Sequence, residues 1–183
     1  MKKVNIKIFA AFFIFCGNTF ATNFPPRIEM QSGNGIKEVD EDIDIGTGLF
    51  NITVRDRNHG SVIVEAVGEA SDLVTVNHTQ SGTTWGVFLK KKLDRERQSQ
   101  YLLRFIATSS QKDAPTSALE VTLFVNDIND VAPIFSQPAY RVQVPENYTV
   151  AVPINVSVHA TDLDNGPWGS VTYDMKVIMF IVL

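Results

Sequence analysis

The sequence holds a single cysteine, Cys16, in 183 residues. An intrachain disulfide framework is therefore excluded, and thiolate ligation of a soft metal is disfavoured. Histidine is almost as sparse. His59, His78 and His159 are scattered, which argues against zinc, and no Ser-His-Asp or Cys-His arrangement is visible for nucleophilic catalysis. No segment repeats its apolar residues with a convincing helical period. There is no surplus of base either: 16 Lys and Arg stand against 20 Asp and Glu, a formal net charge of −4. A basic face for nucleic acid is not indicated. Neither apolar run, at residues 8–16 or in the last eight positions, reaches the roughly 20 residues that span a membrane as a helix.

What is present is an ordinary globular composition, 44% hydrophobic and 20% charged, with room for one domain and part of another. The first 21 residues read as a secretory leader. Lys2, Lys3 and Lys7 form a basic start, residues 8–16 are apolar, and Thr19-Phe20-Ala21 offers a small-x-small cleavage site. Cleavage removes three lysines, no acids and Cys16, leaving 13 basic against 20 acidic residues, a net of −7. A secreted domain without a disulfide is held by its core, by bound ions, or by both. Four Asn-x-Ser/Thr triplets, at Asn51, Asn77, Asn147 and Asn155, agree with export and are glycosylation candidates. Phe50, Ile52 and Val54 alternate with Asn51, Thr53 and Arg55, which puts Asn51 on the solvent face of a strand. Val152, Ile154, Val156 and Val158 alternate with Asn155 and Ser157 in the same way.

Along the mature chain, residues 24–30 are extended and 31–35 form a turn cluster. Strand-like runs follow at 36–42, 49–55, 61–67, 73–76, 85–89, 101–105 and 118–125, with turns between them and a charged corner at 93–98. About seven short strands with turn signals every 8–12 residues predict an all-β antiparallel sandwich. Asn126-Asp127-Ile128-Asn129-Asp130 sets two carboxylates and two amides within five residues, and Pro133 stiffens the chain before a second strand-like run at 140–144. Carboxylates this close repel, and a hard cation held by oxygen ligands is the simplest way to neutralise them. The chain also echoes itself. Val39-Asp40-Glu41-Asp42 and Val144-Pro145-Glu146-Asn147 precede runs followed by Asp56-Arg57-Asn58-His59-Gly60 and Asp162-Leu163-Asp164-Asn165-Gly166. The offset of about 105 residues is the size of one sandwich.

Together these elements resemble the cadherin repeat. The resemblance is carried by Leu93-Asp94-Arg95-Glu96, by Asp127-Ile128-Asn129-Asp130-Val131-Ala132-Pro133-Ile134-Phe135, by Pro145-Glu146-Asn147 and by Ala160-Thr161-Asp162-Leu163-Asp164, in this order. It covers one whole repeat and about a third of a second. It implies a Greek-key, seven-stranded sandwich per repeat and calcium ions (Ca2+) clamped at the junction. The implied boundaries are a leader over 1–21, a first repeat over 22–130, a partial second over 131–175 and an apolar tail over 176–183. The implied ligands are Glu41, Asp94, Glu96, Asp127, Asn129, Asp130, Asp162 and Asp164, with main-chain oxygens of Ile128 and Val131. Glu146 would serve a further junction and is given no ligand role.

Val131 stands where the family usually has Asn, and Trp168 where an Asn is common; a carbonyl ligand survives both changes. Asp56-Arg57-Asn58 replaces the Asp-x-Asp pair of the second copy, as expected if no repeat precedes it. The mature start, Thr22-Asn23-Phe24-Pro25-Pro26, has no Trp. It therefore resembles protocadherin-like members rather than strand-swapping ones. The function implied is calcium-dependent cell–cell adhesion to another cadherin-like ectodomain at the extracellular face of the plasma membrane, with no enzymatic activity. The alternative is a soluble receptor or decoy module, secreted if the chain ends at Leu183. A truncated gene product, continuing naturally into more repeats and an anchor, is the favoured account of the unfinished second repeat.

Overall fold

Alternating apolar and polar residues place eight strands between residues 27 and 126, and a computed structural model describes them. It describes residues 23–80, 82–111, 113, 115–149 and 153–176. The expected leader, Val152 and all of the tail but Lys176 lie outside the described residues.

The strands are β1 (Arg27–Met30), β2 (Ile36–Asp40), β3 (Gly48–Arg55), β4 (Val62–Val67), β5 (Val74–His78), β6 (Thr84–Leu89), β7 (Gln100–Ser109) and β8 (Ser117–Asn126). The only helical element among the described residues is a single 3-10 turn at Ser71–Leu73. One sheet has the order β1-β3-β6-β5 and the other β2-β8-β7-β4. The chain passes from sheet to sheet at every connection except the hairpins β5–β6 and β7–β8, so the sandwich is all-β and Greek-key-like, as expected. Eight strands appear where seven were expected because the extended entry, residues 24–30, itself pairs with β3 as β1. Gly33 (φ +117°) and Gly35 (φ +84°) supply a left-handed backbone that side chains disfavour. The turn carries the chain from β1, antiparallel to β3, across to β2, parallel to β8.

Both inner faces meet in one core. Ile52, Val87, Phe105, Val121 and Leu123 are fully buried, and the Phe50 and Phe105 rings meet edge to face at 5.8 Å. Asn51 points outward as expected, and so does Asn77. Both are register partners of Gly86 on the middle strand of their sheet. Gly86 is required there: a Cβ would lie 2.7 Å from the Phe88 ring, which covers the position.

Beyond Asn126 the expectation is corrected. Residues 140–144 and 153–158 are not strands; only Ile134–Phe135 (β9) and Ala160–Thr161 (β10) pair. Val142, Val144, Ile154, Val156 and Val158 are 40–48% exposed. Their alternation is real, but no second sheet among the described residues faces them, and lone strands gain too little to form. Instead the Phe135 ring sits 6.3 Å from Tyr140 and 6.3 Å from Tyr173. The Tyr173 hydroxyl accepts the Ala160 amide at 2.8 Å.

The turn after β3 closes one pole of the sandwich. Asp56 accepts hydrogen bonds from the Ser109 hydroxyl at 2.6 Å and the amides of Asn58 and Gly60 at 2.9 and 3.2 Å. Desolvation pushes its carboxyl up, but these donors outweigh it and hold the group below the usual carboxylate range. A depressed native value contributes stability that is complete above the unfolded value and is lost as pH falls through the native one. Ser109→Ala is therefore expected to cost about 1–2 kcal/mol near neutral pH. Denaturant titration across pH should show that deficit shrinking as acid protonates Asp56 in both proteins.

Candidate metal centre

At the opposite pole, three separate parts of the chain converge. Glu41 follows β2 and is 4% exposed. Its two oxygens accept the main-chain amides of Arg95 at 2.8 Å and Ile128 at 3.1 Å, tying the charged corner and the connector to the end of β2. Asp94 caps that corner by accepting the Arg97 amide at 2.8 Å. The loop after β10 comes in from the far side. Val131 donates its amide to Asp164 at 3.3 Å, and Asn165 donates to Asp127 at 2.6 Å. Asp162 accepts the Asp164 amide at 3.0 Å, which shapes the loop. Gly169 lets it close, since a Cβ there would stand 2.2 Å from the Asp164 carbonyl oxygen.

These bonds hold two groups of carboxylates. Glu41, Glu96 and Asp130 each offer an oxygen within 4.8 Å of the other two, and so do Glu96, Asp127 and Asp164. Glu96 belongs to both. Glu41, Asp94, Glu96, Asp130 and Val131 also line one open hollow of about 250 Å³. Of the ten residues expected as ligands, the structure thus brings five carboxylates into ligand-sharing groups and sets Asp94 and Val131 on the same hollow. Asp162 adjoins through the Asp164 amide. Asn129 is exposed. The Ile128 carbonyl oxygen accepts the Asp130 amide at 3.1 Å.

The electrostatics of the cluster are unfavourable without a counter-charge. Desolvation raises Asp130, and the neighbouring charges of Glu41, Asp127 and Asp94 raise it further. Desolvation also raises Asp164 against the Val131 hydrogen bond, with Asp162, Asp127 and Asp130 adding to it. In Glu96 desolvation and the acids Asp127 and Glu41 prevail over the opposing pull of Arg95. Two buried oxygens accept no hydrogen bond: Asp164 Oδ2, and Asp127 Oδ1, which has only the Arg95 guanidinium at 3.4 Å. Buried acceptors are rarely left so. Oxygen-only donors, shared carboxylates and orphaned oxygens together fit a hard cation of the calcium type.

No protein-family model matches the chain. Human protocadherin gamma-B4 is 35% identical over 136 residues, 73% of this chain and 14% of that protein. Cadherin-23 of Rattus norvegicus is 31% identical over 138 residues, 75% of this chain and 4% of that protein. Among solved structures, the protocadherin gammaB7 EC3-6 cis-dimer superposes with a TM-score of 0.70 at 32% identity, covering 79% of this chain and 33% of that one. The chain thus spans only a small part of the length of the curated relatives it matches.

One participant carries no acid and was not singled out in the sequence. The Arg95 guanidinium, with a side chain 20% exposed, lies 3.2 Å from Glu96 and 3.4 Å from Asp127. It also donates to the Leu163 carbonyl at 3.4 Å, bridging to the far loop. A lone Arg between two acidic residues in a charged corner reads as a solvated charge. Only the fold shows it as the internal counter-ion. Replacing it by Gln should lower stability in divalent-free buffer by about 1 kcal/mol, roughly 4–8 °C in melting temperature for a domain of this size. Scanning calorimetry in chelator measures it.

Proposed function

The chain belongs to the cadherin family, and from that premise we propose that it is a calcium-stiffened adhesive part of an extracellular rod. Its relatives are cadherin ectodomains, so it is an adhesion-type extracellular module and not an enzyme of a related class. They favour adhesion over the soluble-decoy reading. Among the described residues no helix is long and apolar enough to cross a membrane. A plasma-membrane anchor is therefore proposed for the full-length protein, outside these residues.

The observation that carries the proposal is the sharing of Glu96 by two carboxylate groups drawn from the first sandwich, the connector and the loop after β10. In this reading residues 22–130 are one repeat and 131–175 the start of the next. Glu41, Glu96, Asp127, Asp130 and Asp164 hold calcium directly. Asp94, Asp162, Asn129 and main-chain oxygens of Ile128 and Val131 complete its shell. Bound calcium supplies the positive charge these acids lack. The ligands come from both sides of the hinge, so sharing them holds the adjoining units in one orientation. Extracellular modules bind calcium at about 10⁻⁴–10⁻³ M, so stiffness would follow external calcium. Titration calorimetry of the secreted chain should show uptake at millimolar calcium, and Glu96→Gln should weaken it tenfold or more at both groups. No uptake at that concentration rejects the proposal.

The partner proposed is another cadherin-like ectodomain on a neighbouring cell. The two sheet faces differ in what they offer it. The β1-β3-β6-β5 face carries the glycosylation candidates Asn51 and Asn77 side by side. The β2-β8-β7-β4 face exposes Ile36, Leu102 and Phe124 around Thr122, with Ile63 farther along on β4. Beads coated with the chain should aggregate in calcium and disperse in chelator. Leu102→Asp should reduce aggregation several-fold while leaving calcium uptake intact.

A further inference from the structure

The pole farthest from the acidic junction has the opposite charge. Arg27 and Arg55 are direct cross-strand partners at the end of the β1–β3 ladder, a like-charge pairing that costs stability where nothing offsets it. Arg57 follows on the same edge, its guanidinium 5.9 Å above the Phe24 ring. The three arginines, with Phe24 and Pro25, line an open hollow of about 350 Å³. One carboxylate answers them: Glu29 pairs with Arg27 at 2.5 Å, and both side chains are largely exposed. The nearest other acid, Asp56, is turned inward and spent on Ser109, Asn58 and Gly60. Three arginines against Glu29 and the ionised Asp56 leave this pole net positive on a chain whose formal net charge is −4.

The floor of the hollow is fixed. The Asn58 side chain accepts the Phe24 amide at 3.3 Å and donates to the Phe24 carbonyl at 2.7 Å, clamping the start of the described chain against the turn. The Phe24 ring therefore stays beside the arginines as a half-exposed apolar shelf.

We propose that this pole binds a sulfated polysaccharide, its sulfate groups on Arg27, Arg55 and Arg57 and a sugar face against Phe24. Guanidinium groups engage planar and tetrahedral oxyanions through paired N–H donors, which a lysine cannot reproduce. Three guanidinium groups around one open hollow can engage several sulfates of a repeating anionic chain. The acidic remainder of the surface repels polyanions, so attraction is confined to this pole.

The test is surface plasmon resonance of the secreted chain with a heparin octasaccharide. Binding should persist in chelator, which separates it from the calcium reading, and should weaken as salt rises. Arg55→Glu with Arg57→Glu should weaken it at least tenfold without lowering the melting temperature, since Arg55→Glu replaces a like-charge cross-strand pair by an opposite one, and Arg57→Ala alone several-fold. The other basic run supplies the control: Lys90→Glu with Lys91→Glu should leave binding within twofold. Absence of binding, or loss through the lysine variant instead of the arginine variants, overturns the proposal.

Discussion

Like charges held within reach of one another at the junction are the constraint on which the rest of this structure depends. Seven carboxylates and one guanidinium meet where β2, the charged corner, the connector and the loop after β10 converge. Folding the sandwich brings them together whether or not they are neutralised. Hydrogen bonds from Arg95, Ile128, Val131 and Asn165 amides fix the acids in place but leave two buried oxygens without a hydrogen bond, one of them facing Arg95. The scaffold is therefore organised around a charge deficit that Arg95 meets only in part.

The two poles of the sandwich solve the same sequence pattern differently. At the junction, Asp162 and Asp164 keep both acids of the turn, and Asp164 stays orphaned. At the far pole Asn58 stands in the second position. Its amide closes on Phe24 as donor and acceptor, and Asp56 is satisfied by neutral donors. One substitution of oxygen acid by amide turns a position that needs a cation into one that closes on the chain itself.

Much of this was legible in the residues. Period-two alternation found seven of the eight strands of the sandwich to within a few positions because both sheets bury one face, and left β1 as an extended entry. The close carboxylates Asp127 and Asp130 raised the question of a cation, and the resemblance to the cadherin repeat added Glu41, Glu96 and Asp164, three of the acids that the fold brings within reach of them. The failures have physical causes. Residues 140–144 and 153–158 have the alternation of strands without a partner sheet to bury it. The crossing from β1 to β2 depends on two glycines whose left-handed backbone is one option among several for any glycine. The role of Arg95 could not be read locally, because its contacts with Asp127 and Leu163 span 32 and 68 residues.

The crossing of the first strand from one sheet to the other has a mechanical consequence. β2 runs parallel to β8, with Ile36 beside Thr122 and Asp40 beside Asn126. A tug applied to the chain ahead of Ile36 and beyond Asn126 acts on opposite ends of that ladder. Its hydrogen bonds are then loaded in shear and have to give way together rather than peel apart singly, so tension between two attached bodies is borne by the backbone beside the hinge.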